Sequence, residues 1–164
     1  MRKIPLLATL AAGIGAGALI PGSPATASAP AAAKGTERFS IVSTSISAPA
    51  ASLIARGAFT AGGKFIFSNT GGTVKLPDGS FKVTTASDGK TTVDPATCLV
   101  SHTYKTKYKI SHGTGAYKRI TGSGTANVSE RAILPRASSG KCNERANPTV
   151  FQSVINASGP VSIP

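Results

Sequence analysis

Eighteen Lys and Arg against six Asp and Glu give this chain of 164 residues a formal charge of +12, with 40% of its residues hydrophobic and only 15% charged. That length suits one domain, that composition excludes a disordered polyelectrolyte, and six carboxylates leave little material for acidic metal clusters or glycosidase acid pairs. The excess charge argues for solubility and attraction to anionic partners, not for a particular fold.

The chain begins with the pattern of an export signal. Arg2 and Lys3 form a positive start, Ile4 to Ile20 is an uncharged apolar run, and Ala25-Thr26-Ala27 supplies the small-residue cleavage pattern. A second candidate cleavage point is Ala31-Ala32-Ala33. The run approaches the ~20 residues of a membrane-spanning helix, but its glycines, Pro5 and the A-x-A ending favour a removable signal over an anchor. Residues 1–27 are therefore expected to be a signal peptide, 28–36 a flexible Ala/Pro/Gly-rich tail and 37–164 the folded domain. The mature protein is expected to be secreted, with no transmembrane segment. Export also accounts for the two cysteines, Cys98 and Cys142, whose simplest state in an oxidising compartment is one disulfide.

From Glu37 onward the apolar pattern has period two, broken by turn residues at short intervals. Phe39, Ile41 and Ser43 share a face of a first strand that ends before Pro49. Ser52 to Ala61 reads as a second strand, with Gly62-Gly63 as a hairpin turn into Lys64 to Phe67. Asn69 to Gly72 interrupts, Thr73 to Leu76 resumes, Pro77-Asp78-Gly79 is a tight turn, and a strand led by Phe81 and Val83 stops at Asp88-Gly89. The clearest alternation runs from Cys98 to Ile110. Lys105, Lys107 and Lys109 occupy one face, and His102, Tyr104, Thr106 and Tyr108 the other. Gly113 and Gly115 form a turn before Tyr117 to Ile120, and Gly122 and Gly124 allow a bend or bulge before Thr125 to Leu134. A polar loop, 135–148, leads to a last strand from Thr149 to Ala157. No helical periodicity occurs after the signal. About eight strands with regular turns predict an all-β domain, a single antiparallel barrel or a sandwich, with barrel closure removing free edges.

The segment His112-Gly113-Thr114-Gly115-Ala116-Tyr117, continuing to Gly122-Ser123-Gly124-Thr125, resembles a Gly-rich element of the allene oxide cyclase and dirigent barrel superfamily. With Pro77-Asp78-Gly79-Ser80-Phe81 and Asp94-Pro95-Ala96-Thr97-Cys98, the chain is similar to small exported actinobacterial proteins with an allene oxide cyclase-like barrel. The resemblance implies an eight-stranded antiparallel barrel with a lumen; it does not imply one chemistry.

Candidate sites follow from the two strand faces. His102, Tyr104, Thr106 and Tyr108 could line a lumen that takes a small apolar ligand, with Glu37 and Glu130 as the carboxylates that strands could turn inward. Lys105, Lys107 and Lys109, joined by Lys118 and Arg119 on an adjacent strand, form a basic face toward an anionic partner such as a cell-envelope polymer. Specific nucleic-acid recognition is disfavoured because Tyr104 and Tyr108 fall on the opposite face from the lysines. Gly113-Thr114-Gly115 lacks both the third glycine and the following helix of a dinucleotide-binding turn, and two separated histidines make neither a triad nor a metal site. No catalytic residue, metal ligand or cofactor is assigned. The expectation is a secreted binding protein, with an isomerase- or cyclase-like enzyme using the same lumen as the alternative.

Overall fold

Nine strands account for most of the residues described by the computed structural model, 32–86 and 89–164. The expected signal segment, the beginning of the 28–36 tail and Asp88 of the Asp88-Gly89 turn lie outside these residues. In chain order the strands are β1 (Ala33–Ser43), β2 (Ala50–Arg56), β3 (Thr60–Ser68), β4 (Gly71–Leu76), β5 (Gly79–Thr85), β6 (Lys90–Asp94), β7 (Leu99–Ser111), β8 (Thr121–Ile133) and β9 (Val150–Ile163). All pairings are antiparallel. β1 pairs with both β2 and β9, and β5 pairs with β7, so eight strands close into a barrel in the order β1-β2-β3-β4-β5-β7-β8-β9. β6 lies outside the closed ring, against the first half of β7.

The barrel agrees with the expected architecture, while several boundaries differ for physical reasons. β1 starts at Ala33, where it pairs with Ile163, so residues 33–36 belong to the barrel and not to a tail. The hairpin after β2 turns at Gly57-Ala58-Phe59, five residues earlier than expected. Gly57 adopts φ +145°, and any side chain there would overlap the Thr36 carbonyl. Gly62 and Gly63 are instead inside β3, and Gly63 makes room for Lys75 and Leu76 of β4. Tyr117 to Ile120 forms no strand: Gly115–Tyr117 is a single 3-10 turn whose Tyr117, with Ile120, is buried as a plug. Gly122 and Gly124 make no bulge, because β8 keeps one register against β7 from Gly122 to Ile133. β9 runs six residues past the expected Ala157, and β6 had no counterpart in the sequence reading.

Cross-strand register sorts the interior into layers, as in other small barrels. The rim layer is polar, with Ser43 opposite Ser153, Ser153 opposite Glu130, and Glu130 opposite His102. Below it lie Ile41, Ile155, Val128 and Tyr104, then Phe39, Ala157, Ala126 and Thr106. In the fourth layer Glu37 faces Gly159 across β1 and β9, while Tyr108 faces Gly124 across β7 and β8. The bottom is closed by packed aromatic and aliphatic groups. Phe59 contacts both Phe39 and Tyr117, and Phe81 contacts Phe39 and Tyr117, with ring centroids 5.3–6.3 Å apart. The barrel is thus packed solid at the end of the β2–β3 turn and less filled toward the opposite end.

Candidate functional site

The unfilled end holds a cavity of about 240 Å³. Its walls are mostly apolar, from Phe39, Ile41, Leu53, Phe65, Val74 and Val128, and its polar lining includes Tyr104, Thr106, Tyr108 and Glu130. The side chains arrive there by the period-two alternation of each strand. Small residues leave the space: Ala157, the cross-strand partner of Phe39, and Ala126 beside it on β8 line the cavity in the same layer as Phe39.

Three of the four lumen candidates line this cavity. Tyr104 stands near its mouth, with its ring against that of His102 at 4.9 Å between centroids. Burial, then the charge of Glu130, raises its phenol pKa. The Thr106 hydroxyl donates to the Ala86 carbonyl, which bridges the point where β7 changes partners from β5 to β6. Tyr108 is buried and its hydroxyl has no partner among the described residues. Burial, then Glu37, pushes its pKa up to about 12, so it remains protonated across the physiological range. His102 does not line the cavity. Its Nδ1 lies 3.3 Å from Glu130 Oε2, and Gly89 covers Nε2 so closely that any side chain at 89 would overlap the ring. Glu130 Oε1 also accepts a hydrogen bond from the Ser153 hydroxyl at 3.3 Å. His112 is exposed in a turn, with Nδ1 2.9 Å from the Ser111 hydroxyl.

Glu37 points inward but lies beneath Phe39 and is not part of the cavity wall. Its carboxylate is fully buried; Oε2 accepts the Phe59 amide N–H at 3.0 Å and Oε1 has no partner among the described residues. Burial raises its pKa against the lowering effect of nearby backbone amides. Its local role is to hold the turn that carries the Phe59 plug.

The cysteines form the expected disulfide, Cys98 to Cys142, with Cα atoms 5.4 Å apart. Arg136 reinforces this corner, donating to the carbonyls of Ala96 at 2.6 Å and Gly140 at 2.8 Å. Asp94 organises the adjoining turn; hydrogen bonds from the Thr97 hydroxyl and the Ala96 amide hold its pKa below the usual carboxylate range.

The basic face has a different make-up from the one expected. Lys105, Lys107 and Lys109 are exposed on the outside of β7, but Lys118 and Arg119 lie beyond the 3-10 turn at the closed end of the barrel. Arg119 is engaged there with the Pro164 carbonyl at 3.1 Å. The neighbours of the three lysines on β8 are Asn127, Thr125 and Ser123. Sequence reading missed the cations that do lie across the same wall, Arg38 on β1 and Arg56 on β2. Their parity on their strands was legible, but their proximity follows only from β1 pairing with β9 when the barrel closes.

No protein-family model matches this chain, and no similar protein was found among curated proteins or solved structures. The fold and site therefore define a class by their own geometry, a closed eight-stranded antiparallel barrel with an apolar lumen. Among the described residues no helix is long and apolar enough to cross a membrane, and no group of three or more His, Cys, Asp or Glu is placed to hold a metal ion.

Proposed function

We propose that this is an exported binding protein that holds a small, largely apolar molecule in the barrel lumen. The observation that carries the reading is the cavity itself. Small barrels can fill their interiors completely with side chains, whereas here about 240 Å³ stays open beside Tyr104 and Tyr108. That volume falls below the ~300–1,000 Å³ common for drug-sized ligands, so the ligand is compact, of one or two rings or a short chain. Tyr108, protonated and without a partner, supplies a hydrogen-bond donor for an oxygen on such a molecule. Export is supported by the Arg2-Lys3 start, the apolar run and the A-x-A pattern; the resemblance to allene oxide cyclase-like barrels supports a lumen used for ligands.

The cyclase-like alternative is favoured by one feature, Glu130, a carboxylate on the cavity wall beside His102. Against it, the more deeply buried Glu37 is occupied with the Phe59 turn and separated from the cavity by Phe39. Titration with the neutral fluorophore N-phenyl-1-naphthylamine tests the binding reading. Saturable, blue-shifted emission in the natural protein, lost in a folded Val128→Phe variant that fills the lumen, is the expected result. Emission that never saturates, or that Val128→Phe leaves unchanged, would overturn it.

A further inference from the structure

The outer wall of the barrel distributes its charge unevenly. Among the described residues, every Lys and Arg on a barrel strand points outward, while the two barrel-strand carboxylates, Glu37 and Glu130, point inward. Among the described residues the cations of the wall face solvent without acidic partners, and the contact between a basic and an acidic side chain is that of His102 with Glu130 at the rim. Arg38 and Arg56 are direct cross-strand partners on β1 and β2. Like charges placed opposite one another destabilise a sheet, and among the described residues no carboxylate lies within salt-bridge distance of this pair.

The register draws a track from this pair around the barrel. Arg56 faces Arg38, Arg38 faces Ser158, Ser158 faces Thr125, and Thr125 faces Lys107. Directly alongside, Ser40 faces Asn156, Asn156 faces Asn127, and Asn127 faces Lys105. The central strands β8 and β9 carry short amide and hydroxyl side chains between the longer flanking cations; Arg38, Arg56, Ser40, Asn127, Asn156 and Ser158, with the exposed Ile54, line an open hollow of about 630 Å³, and Lys105 and Lys107 stand one strand beyond it on β7. At ~4.8 Å between strands, Arg38 and Lys107 stand roughly 14 Å apart along the track.

We infer that this hollow over β9 is a binding site for an anionic polysaccharide, a chain of sugars bearing sulfate or phosphate groups. The arginines at one end and Lys105 and Lys107 at the other would meet its anionic groups; Arg presents a planar fork suited to oxyanions. Asn127, Asn156, Ser40 and Ser158 would pair with sugar hydroxyls between them. Single-stranded nucleic acid would supply the same charge, but its bases need aromatic platforms, and the exposed side chains of this hollow include none. The site is on the outside of the wall, so it stands independently of any ligand in the lumen.

Binding of the disulfide-intact protein to dextran sulfate, with neutral dextran of the same length as control, tests the inference. The expected result is binding to the sulfated polymer that weakens steeply with salt. Arg38→Gln/Arg56→Gln and Lys105→Gln/Lys107→Gln should each weaken it by at least about tenfold, as loss of well-placed charge contacts does. Lys64→Gln/Lys75→Gln removes the same charge from the opposite wall, on β3 and β4, and should weaken binding by less than about twofold. Equal losses in all three variants would reduce the effect to net charge and overturn the site. Absence of binding, or equally tight binding of single-stranded oligonucleotide through the same residues, would also overturn it.

Discussion

Tyr108 occupies the space left by the missing side chain of Gly124. The two are cross-strand partners on β7 and β8, and a Cβ at position 124 would overlap the Ser158 carbonyl oxygen and come within 2.8 Å of both Cε1 and the hydroxyl of Tyr108. Gly124 also packs against Gly159 of β9, so two glycines open the gap between Tyr108 and Glu37. Gly124→Ala should therefore destabilise the barrel by about 1–3 kcal/mol through overpacking. Denaturant unfolding, read as a lower midpoint at an unchanged slope, checks this; an unchanged midpoint would show that the gap is not tight.

The Tyr108 hydroxyl is buried without a partner among the described residues, and leaving such a group unsatisfied costs about 1–3 kcal/mol. In the ligand-free protein, Tyr108→Phe should raise the melting temperature. It should also reduce the loss of stability between pH 10 and about 12, where unfolded tyrosine ionises while Tyr108 stays protonated. Melting curves of both proteins at pH 8 and pH 11 make the comparison.

Glu37 has the same sign of linkage at lower pH. Its folded pKa is raised above 4.5, so the folded state retains a proton that the unfolded chain releases as pH climbs past that value. The Glu37 contribution is fully present below about pH 4.5 and is lost as pH rises through the folded pKa. Glu37→Gln, which keeps an acceptor for the Phe59 amide, should match the natural protein at pH 4 and exceed its stability at pH 7. Parallel pH profiles for the two proteins would contradict the argument.

The disulfide spans a sequence separation of 44 residues. In the chain-entropy account a closed loop of that size contributes roughly 4 kcal/mol. Cys98→Ala/Cys142→Ala should lose stability of that order while retaining the barrel, because β7 pairs with β8 from Leu99 to Ile110 and β8 with β9 over most of its length without it. Far-ultraviolet circular dichroism and denaturant unfolding of the variant report the two effects separately.

The alternation of Tyr104, Thr106, Tyr108 and Ile110 against three lysines is enough to place β7 in the barrel wall and to assign its two faces from sequence. It suffices because period two is a local property of a strand. The same reasoning put Phe39 and Ile41 on one face of β1. Turn position was less legible, because Gly57 and the Gly62-Gly63 pair look alike in sequence. Only the contact with the Thr36 carbonyl makes Gly57 the turn, and only the approach of β4 makes Gly63 a strand residue. Lys118 and Arg119 were misplaced because Tyr117 and Ile120, both apolar, read as strand when they are buried as a plug. The polar track from Arg56 to Lys107 is illegible in the sequence for a deeper reason. It joins residues from five strands, and their adjacency exists only after β1 closes onto β9.

Occupation of the lumen by a small apolar molecule is tested most directly by two-dimensional amide NMR with added N-phenyl-1-naphthylamine. Saturable shifts are expected along the cavity wall, at residues such as Ile41, Val128 and Tyr104, with Lys118 and Arg119 at the closed end unmoved. Shifts restricted to the outer wall, or none at saturating probe, would contradict it.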